Sequence, residues 1–185
     1  MTREITLNVN GEEWTVAVAP NETLLEVLRD RIGIKSPKIG CERGDCGSCT
    51  VILDGKTVRS CLVLAVEADG HGVLTVEGLS KNGLTELQKA FVERNAFQCG
   101  FCAPGVILTA TELLAREPHP GEEQIREALA GNLCRCTGYT PIVEAVLDVA
   151  EGRAPRAQGS PGVAGEVGPA GPEPAFSGSG VNDDD

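Results

Sequence analysis

Cys41, Cys46 and Cys49 are spaced C-x4-C-x2-C, and Cys61 follows with eleven residues between it and Cys49. Four thiolates at this loop spacing are a donor set for a 2Fe–2S cluster. The residues between them suit that chemistry. A sulfur cage needs a main chain that wraps tightly and aims N–H groups at the sulfurs. Gly40, Gly44 and Gly47 permit positive φ and close approach, with no Cβ in the way. Inward N–H groups are fixed partial positive charges facing an anionic centre. On this wrapping argument, Gly47→Val is expected to disturb the first cage before anything else, because a β-branched residue resists positive φ.

A second quartet lies downstream. Cys99 and Cys102 are spaced C-x2-C, 31 residues intervene, and Cys134 and Cys136 are spaced C-x-C. One pair precedes a helix expected from Pro104, and the other precedes a helix expected from Pro141. If both pairs serve one centre, two helix N-termini point at it, and their free N–H groups favour negative charge there. A structural zinc site with four cysteines is the competing reading of these spacings. The first loop tips the balance to iron–sulfur.

The elements that position these loops are legible from period and punctuation. Ile5, Leu7 and Val9 alternate with polar residues as a half-buried strand. Asn10-Gly11 signals a type I′ hairpin, and Trp14, Val16 and Val18 return along the second strand, with Trp14 expected in the core. Thr23 and Glu26 form a capping box for a helix with a buried stripe of Leu24, Leu25, Leu28 and Ile32, stopped at Gly33. Val51–Leu53 and Thr57–Arg59 flank Asp54-Gly55 as a second hairpin that brings Cys61 back to the loop. Residues 73–76 are expected as the last strand. From residue 79 the pattern turns helical. Thr85 and Gln88 cap a helix carrying Leu87, Ala90, Phe91 and Arg94 on its inner stripe. Three more helices are expected from Pro104 to Arg116, from Glu122 to Ala130, and from Thr140-Pro141 with Ile142, Ala145, Val146 and Val149 inward. The expected class is α+β. A β-grasp domain like plant-type ferredoxins covers 1–78, and a four-helix-bundle 2Fe–2S domain covers 79–152. A flexible Gly/Pro/Ala-rich tail covers 153–185. Within the tail, Gly162, Gly165, Gly168 and Gly171 fall on a three-residue period, too short a run for a collagen reading.

The net charge of −11 excludes a phosphate-binding surface, so no nucleic-acid partner is expected. No apolar run approaches the ~20 residues of a bilayer span. Met1-Thr2-Arg3-Glu4 lacks the basic and apolar regions of a signal peptide. The expected compartment is the cytoplasm, where thiols stay reduced. The eight cysteines then read as metal ligands rather than disulfides. His71 and His119 sit in Gly- or Pro-rich loops and read as surface residues.

Four segments together carry a family resemblance: Gly-Cys-Glu-Arg-Gly-Asp-Cys-Gly-Ser-Cys-Thr-Val (40–51), Ser60-Cys61, Gln-Cys-Gly-Phe-Cys-Ala-Pro-Gly (98–105) and Gly-Asn-Leu-Cys-Arg-Cys-Thr-Gly-Tyr (131–139). Over residues 4–152 the chain resembles the iron–sulfur subunit of molybdenum hydroxylases, the xanthine oxidase family that includes carbon monoxide, aldehyde and N-heterocycle dehydrogenases. It departs from the family's usual pattern at Ser48, often Ala, and at Ala103, often Thr; neither is a ligand. The resemblance implies an electron relay through two 2Fe–2S clusters, with Cys41, Cys46, Cys49 and Cys61 holding one and Cys99, Cys102, Cys134 and Cys136 the other. It implies a large subunit with molybdopterin, where substrate is hydroxylated with oxygen from water, and a medium subunit with FAD, joined as a dimer of heterotrimers. The helical-domain cluster would face the pterin, with Gln98 and Cys136 contacting it. No general acid, base or nucleophile is needed in a relay. A free-standing two-cluster ferredoxin and a zinc-stabilised interaction module are the competing classes.

Overall fold

The structure is a computed structural model that describes residues 2–153. The expected tail beyond Arg153, including its glycine period, lies outside the described residues.

Five strands form one mixed sheet in the order β2-β1-β5-β3-β4. β1 (Arg3–Val9) and β2 (Glu12–Val18) pair antiparallel, with Leu7 opposite Trp14. Asn10 (φ 55°) and Gly11 (φ 84°) make their turn, both left-handed as type I′ geometry requires. β3 (Thr50–Leu53) and β4 (Lys56–Arg59) form the second hairpin over Asp54 and Gly55, again both left-handed. β5 (Gly72–Leu74) runs between the hairpins, parallel to β1 and antiparallel to β3. Ile5, Leu7, Val9 and Val18 share a core with Leu24, Val27, Leu28, Val51 and Val73, while Trp14 packs half-buried at its edge. Each fully buried side chain of this kind contributes roughly 1.5–3 kcal/mol. That burial holds the loops at the sheet's end in place.

The helix capped by Thr23 begins as α1 (Leu24–Glu26), with the expected box intact: Glu26 N donates to Thr23 Oγ1, and Thr23 N to the Glu26 carboxylate. It then widens into a π-helical segment, Val27–Ile32, closed by Gly33 at φ 92°. Hydrogen bonds spanning five residues rotate the later side chains. Ile32, past that widening, is only half-buried, while Val27, three residues after Leu24, is buried. The last strand also differs from expectation. It ends at Leu74, and Val76 opens a short helix, α2 (Val76–Leu79). The cause is Asn10, whose side chain accepts from Thr75 N and donates to Thr75 Oγ1, taking that backbone group out of the ladder.

Four helices follow: α3 (Glu86–Glu93), α4 (Ala103–Arg116), α5 (Glu122–Leu129) and α6 (Thr140–Ala150). Leu87, Ala90 and Phe91 meet Val106, Ile107, Ala110, Ile125, Leu129, Ile142, Ala145 and Val146 in a second core. Arg94 does not extend the apolar stripe of α3. It ends the helix and binds the Asp148 carboxylate of α6 at 2.6 Å. Thr140 and Pro141 open α6 as expected, but the capping position belongs to Tyr139, left-handed at φ 70°. α4 packs on β3 and β4, joining the two halves.

Candidate functional site

The first quartet is drawn together by the hairpin that follows it. Ser60 N and Oγ both donate to the Cys49 carbonyl, at 3.3 and 2.6 Å, so the end of β4 returns beside Cys49. Cys49 Sγ and Cys61 Sγ then lie 3.4 Å apart. At the other side of the loop, the backbone N–H groups of Arg43 and Cys46 each point at Cys41 Sγ from 3.4 Å. Those donors, that of Arg43 foremost, pull the Cys41 thiol down to about 6, whereas burial pushes Cys61 up to about 11. The inward N–H groups expected from the glycine pattern are present. Gly44 (φ 86°) and Gly47 (φ 72°) are left-handed, but Gly40 is not. Gly40 matters for space instead: a Cβ there would stand 2.7 Å from Cys46 Sγ.

The second quartet is assembled from two loops of the helical half. Cys102 is the capping residue of α4 and is buried, which pushes its thiol up to about 12. Cys99 and Cys136 are exposed, with sulfurs 3.7 Å apart. The Phe101 N–H, then the Cys136 thiol, lower the Cys99 pKa. The loop after Cys134 is tied from within. Tyr139 Oη accepts from Cys134 N at 2.8 Å and donates to Asn132 O at 3.0 Å, while Thr137 Oγ1 lies 3.2 Å from Cys134 Sγ. Burial works to raise the Cys134 pKa, but the Thr137 hydroxyl and N–H, with the Cys136 N–H and the Cys102 thiol, together lower it. Gln98 reaches the same place: its Nε2 donates to Cys136 O at 3.1 Å. The aromatic hydroxyl that organises this loop has no signature in cysteine spacing.

In each quartet one pair of sulfurs lies within reach of a single iron, Cys49 with Cys61 at 3.4 Å and Cys99 with Cys136 at 3.7 Å. The donors present fit a two-iron cluster in each half.

The two sulfur loops touch. Leu133 N donates to the carbonyl of Cys46 at 2.9 Å. Asn132, 1% exposed, lies between the halves: its Nδ2 donates to Gly47 O and Thr50 Oγ1, and its Oδ1 accepts from Thr109 Oγ1 of α4. Arg59 bridges Thr50 Oγ1 and Gly131 O, each at 2.7 Å. Gly47 therefore does more than wrap sulfur. A Cβ on it would run into Gly131 O and come within 2.7 Å of Asn132 Nδ2. The disturbance expected from Gly47→Val is thus not confined to the first cage. Asn132→Ala removes the central partner of this seam and leaves a small void. We expect a loss of about 2–3 kcal/mol, seen as a fall in melting temperature, with both cysteine quartets intact in sequence.

The histidines stand apart from both quartets. His71 Nδ1 lies 2.5 Å from Asp54 Oδ2, and His119 Nδ1 lies 2.7 Å from the Ala150 carbonyl at the end of α6.

A sheet with one cysteine loop at its end, joined to a helical half with a second, defines a two-cluster iron–sulfur protein. The comparisons agree. Residues 7–75 match the 2Fe-2S iron-sulfur cluster binding domain family, and residues 75–147 match the [2Fe-2S] binding domain family. The nicotine 6-hydroxylase small subunit of Paenarthrobacter nicotinovorans is 54% identical, over 78% of this chain and 88% of that protein. The nicotinate dehydrogenase small FeS subunit of Eubacterium barkeri is 48% identical, over 77% and 91%. Among solved structures, quinoline 2-oxidoreductase from Pseudomonas putida 86 superposes with a TM-score of 0.79 at 46% identity, over 81% of this chain and 94% of that one. The chain belongs to the family of small iron–sulfur subunits of the molybdenum hydroxylases. Its work is electron transfer within an oxidoreductase, and its family relatives are small subunits of multi-subunit complexes. No helix among the described residues is long and apolar enough to cross a membrane.

Proposed function

We propose that this chain relays single electrons between a molybdopterin-bearing large subunit and an FAD-bearing medium subunit, in a dimer of heterotrimers in the cytoplasm. Cys41, Cys46, Cys49 and Cys61 hold the cluster on the flavin side. Cys99, Cys102, Cys134 and Cys136 hold the one beside the pterin, which Gln98 and Cys136 contact. The functional halves are residues 1–78 and 79–152. When bound, each cluster supplies a one-electron carrier whose potential is set by charge, N–H···S bonds and exposure.

The observation that carries this reading is the close approach of one sulfur pair in each quartet, Cys49 with Cys61 and Cys99 with Cys136. The chain's own residues do the rest. Arg43 N and Cys46 N hold one sulfur of the first cage, and the Thr137 hydroxyl lies against one of the second. The Cys46–Leu133 hydrogen bond and the Asn132 contacts fix the distance between the two. The second cage is half open: Cys99, Cys136 and Gln98 are exposed, ringed by exposed Phe97, Phe101 and Leu133. A partner that buries this apolar rim would exclude water from the second cage, which favours a permanent interface over a free-standing ferredoxin.

Iron and acid-labile sulfide analysis of the purified complex tests the reading directly. We expect about four irons per chain, two distinct paramagnetic resonance signals after dithionite reduction, and co-purification with molybdenum- and flavin-bearing subunits. Zinc in place of iron, or one signal in place of two, overturns the ligand assignment. Isolation of the loaded chain alone from its native source overturns the partner assignment.

A further inference from the structure

The segment before the first cysteine is held more firmly than a linker requires. Arg29 Nη1 donates to Lys35 O at 3.0 Å and to Pro37 O at 2.7 Å. Ser36 N and Oγ both donate to the Glu77 carboxylate, which also accepts from Thr75 Oγ1 at 2.6 Å. Lys38 N donates to Ser48 O at 2.9 Å. Residues 35–38 are thus clamped from three directions, by α1's π-helical extension, by α2 and by the first cysteine loop.

The clamp presents one side chain to the other half of the molecule. The Lys38 ammonium lies over the Phe101 ring, 5.5 Å from its centroid. Phe101 stands between Cys99 and Cys102. Among the described residues, the ammonium's one hydrogen-bond acceptor is Ser36 O at 3.2 Å. Burial lowers the Lys38 pKa, with Glu77, Cys102 and Cys99 acting against that loss. The cation belongs to the first half of the chain but rests on the ring that stands between two second-quartet cysteines.

From this geometry we infer that Lys38 is an electrostatic positioning residue for the second cluster, raising its reduction potential by standing across the seam from Cys99 and Cys102. The inference rests on the ligand assignment proposed above. Reduction adds one negative charge to a cluster already anionic. A fixed cation nearby stabilises the reduced form more than the oxidised form, and burial weakens the screening of that effect. A cation–π contact holds the ammonium without neutralising it, as an ion pair would.

The test is a redox titration, followed by paramagnetic resonance, of the full complex carrying Lys38→Met, Lys38→Gln or Lys38→Arg. The second-cluster signal is identified as the one lost in Cys102→Ala. In both neutral variants, its reduced-to-oxidised ratio at a given potential should fall about tenfold, a lowering of ~59 mV. The other signal should move less, and Lys38→Arg should restore most of the shift. Unchanged midpoints in either neutral variant overturn the inference. So does an equal shift in all three variants, or loss of the signal in Lys38→Met with a normal midpoint in Lys38→Gln; both assign the side chain to packing. If Cys102→Ala retains both signals, the ligand assignment itself fails, an outcome the lysine variants cannot produce.

Discussion

Gly47→Val should lose both clusters, not one. Three costs meet at this position. The backbone is left-handed at φ 72°, which a β-branched residue resists by about 1–2 kcal/mol. The new side chain drives into Gly131 O and into Asn132, whose Cα would be 2.9 Å from the first added carbon. Overpacking of rigid backbone costs roughly 1–3 kcal/mol. The displaced Asn132 also gives up its bonds to Gly47 O and Thr50 Oγ1. A total of about 3–5 kcal/mol is a large share of the ~5–15 kcal/mol that holds a domain folded. Gly47 lies between Cys46 and Cys49, and its obstacle lies two residues before Cys134, so the strain reaches both sulfur loops. Iron content should fall towards zero, and both resonance signals should be lost. Gly55→Ala is the control. Its φ of 82° is as unfavourable, but nothing lies within 4 Å of the added carbon, so about 1 kcal/mol and no loss of iron is expected. Loss of the first signal alone in Gly47→Val would mean that the seam gives way more easily than its contacts imply.

That outcome separates what spacing reveals from what it hides. The Asn10-Gly11 and Asp54-Gly55 turns and the Thr23 and Thr85 capping boxes are local patterns. Each is decided within a few residues, and each is found as expected. Gly47 was legible as a wrapping glycine because positive φ is also a local demand. Its second role, as the site where Gly131 and Asn132 come to rest, depends on a residue 85 positions away. Asn132, Thr109, Thr50 and Arg59 carry no spacing signal, since a polar seam between two cores can be built from any register. Tyr139 folding back onto Cys134 is closer in sequence, yet it follows from a left-handed residue that nothing in the pattern demands. The Asn10–Thr75 pair that ends the last strand is long-range in the same sense. Periodicity saw Val73 to Val76 as one run because it cannot see a side chain competing for a backbone N–H.

Cys102→Ala gives the sharpest division between the two cages. Cys102 is αR, at φ −81° and ψ −18°, and its side chain makes no capping bond to α4. Alanine fits that backbone, and Val106 N keeps its bond to the residue 102 carbonyl, 3.1 Å in the native chain. The helix therefore loses little by the exchange. What is lost is one of four donors, a thiol whose burial pushes its pKa up, so that a bound metal must compensate for deprotonating it. Three remaining sulfurs leave one iron of the pair short of a ligand. We expect iron to fall from about four to about two per chain, with one resonance signal gone and the other unchanged. The first cage should survive because its supports come from its own half: Ser60 on Cys49 O, and the Arg43 and Cys46 N–H groups on Cys41. Reduction of the surviving cluster by substrate should slow sharply in the assembled complex, while reduction by dithionite should not. The contrast between those two reductants identifies position 102 as part of the path rather than part of the scaffold. Equal rates with both would remove the second cage from the relay.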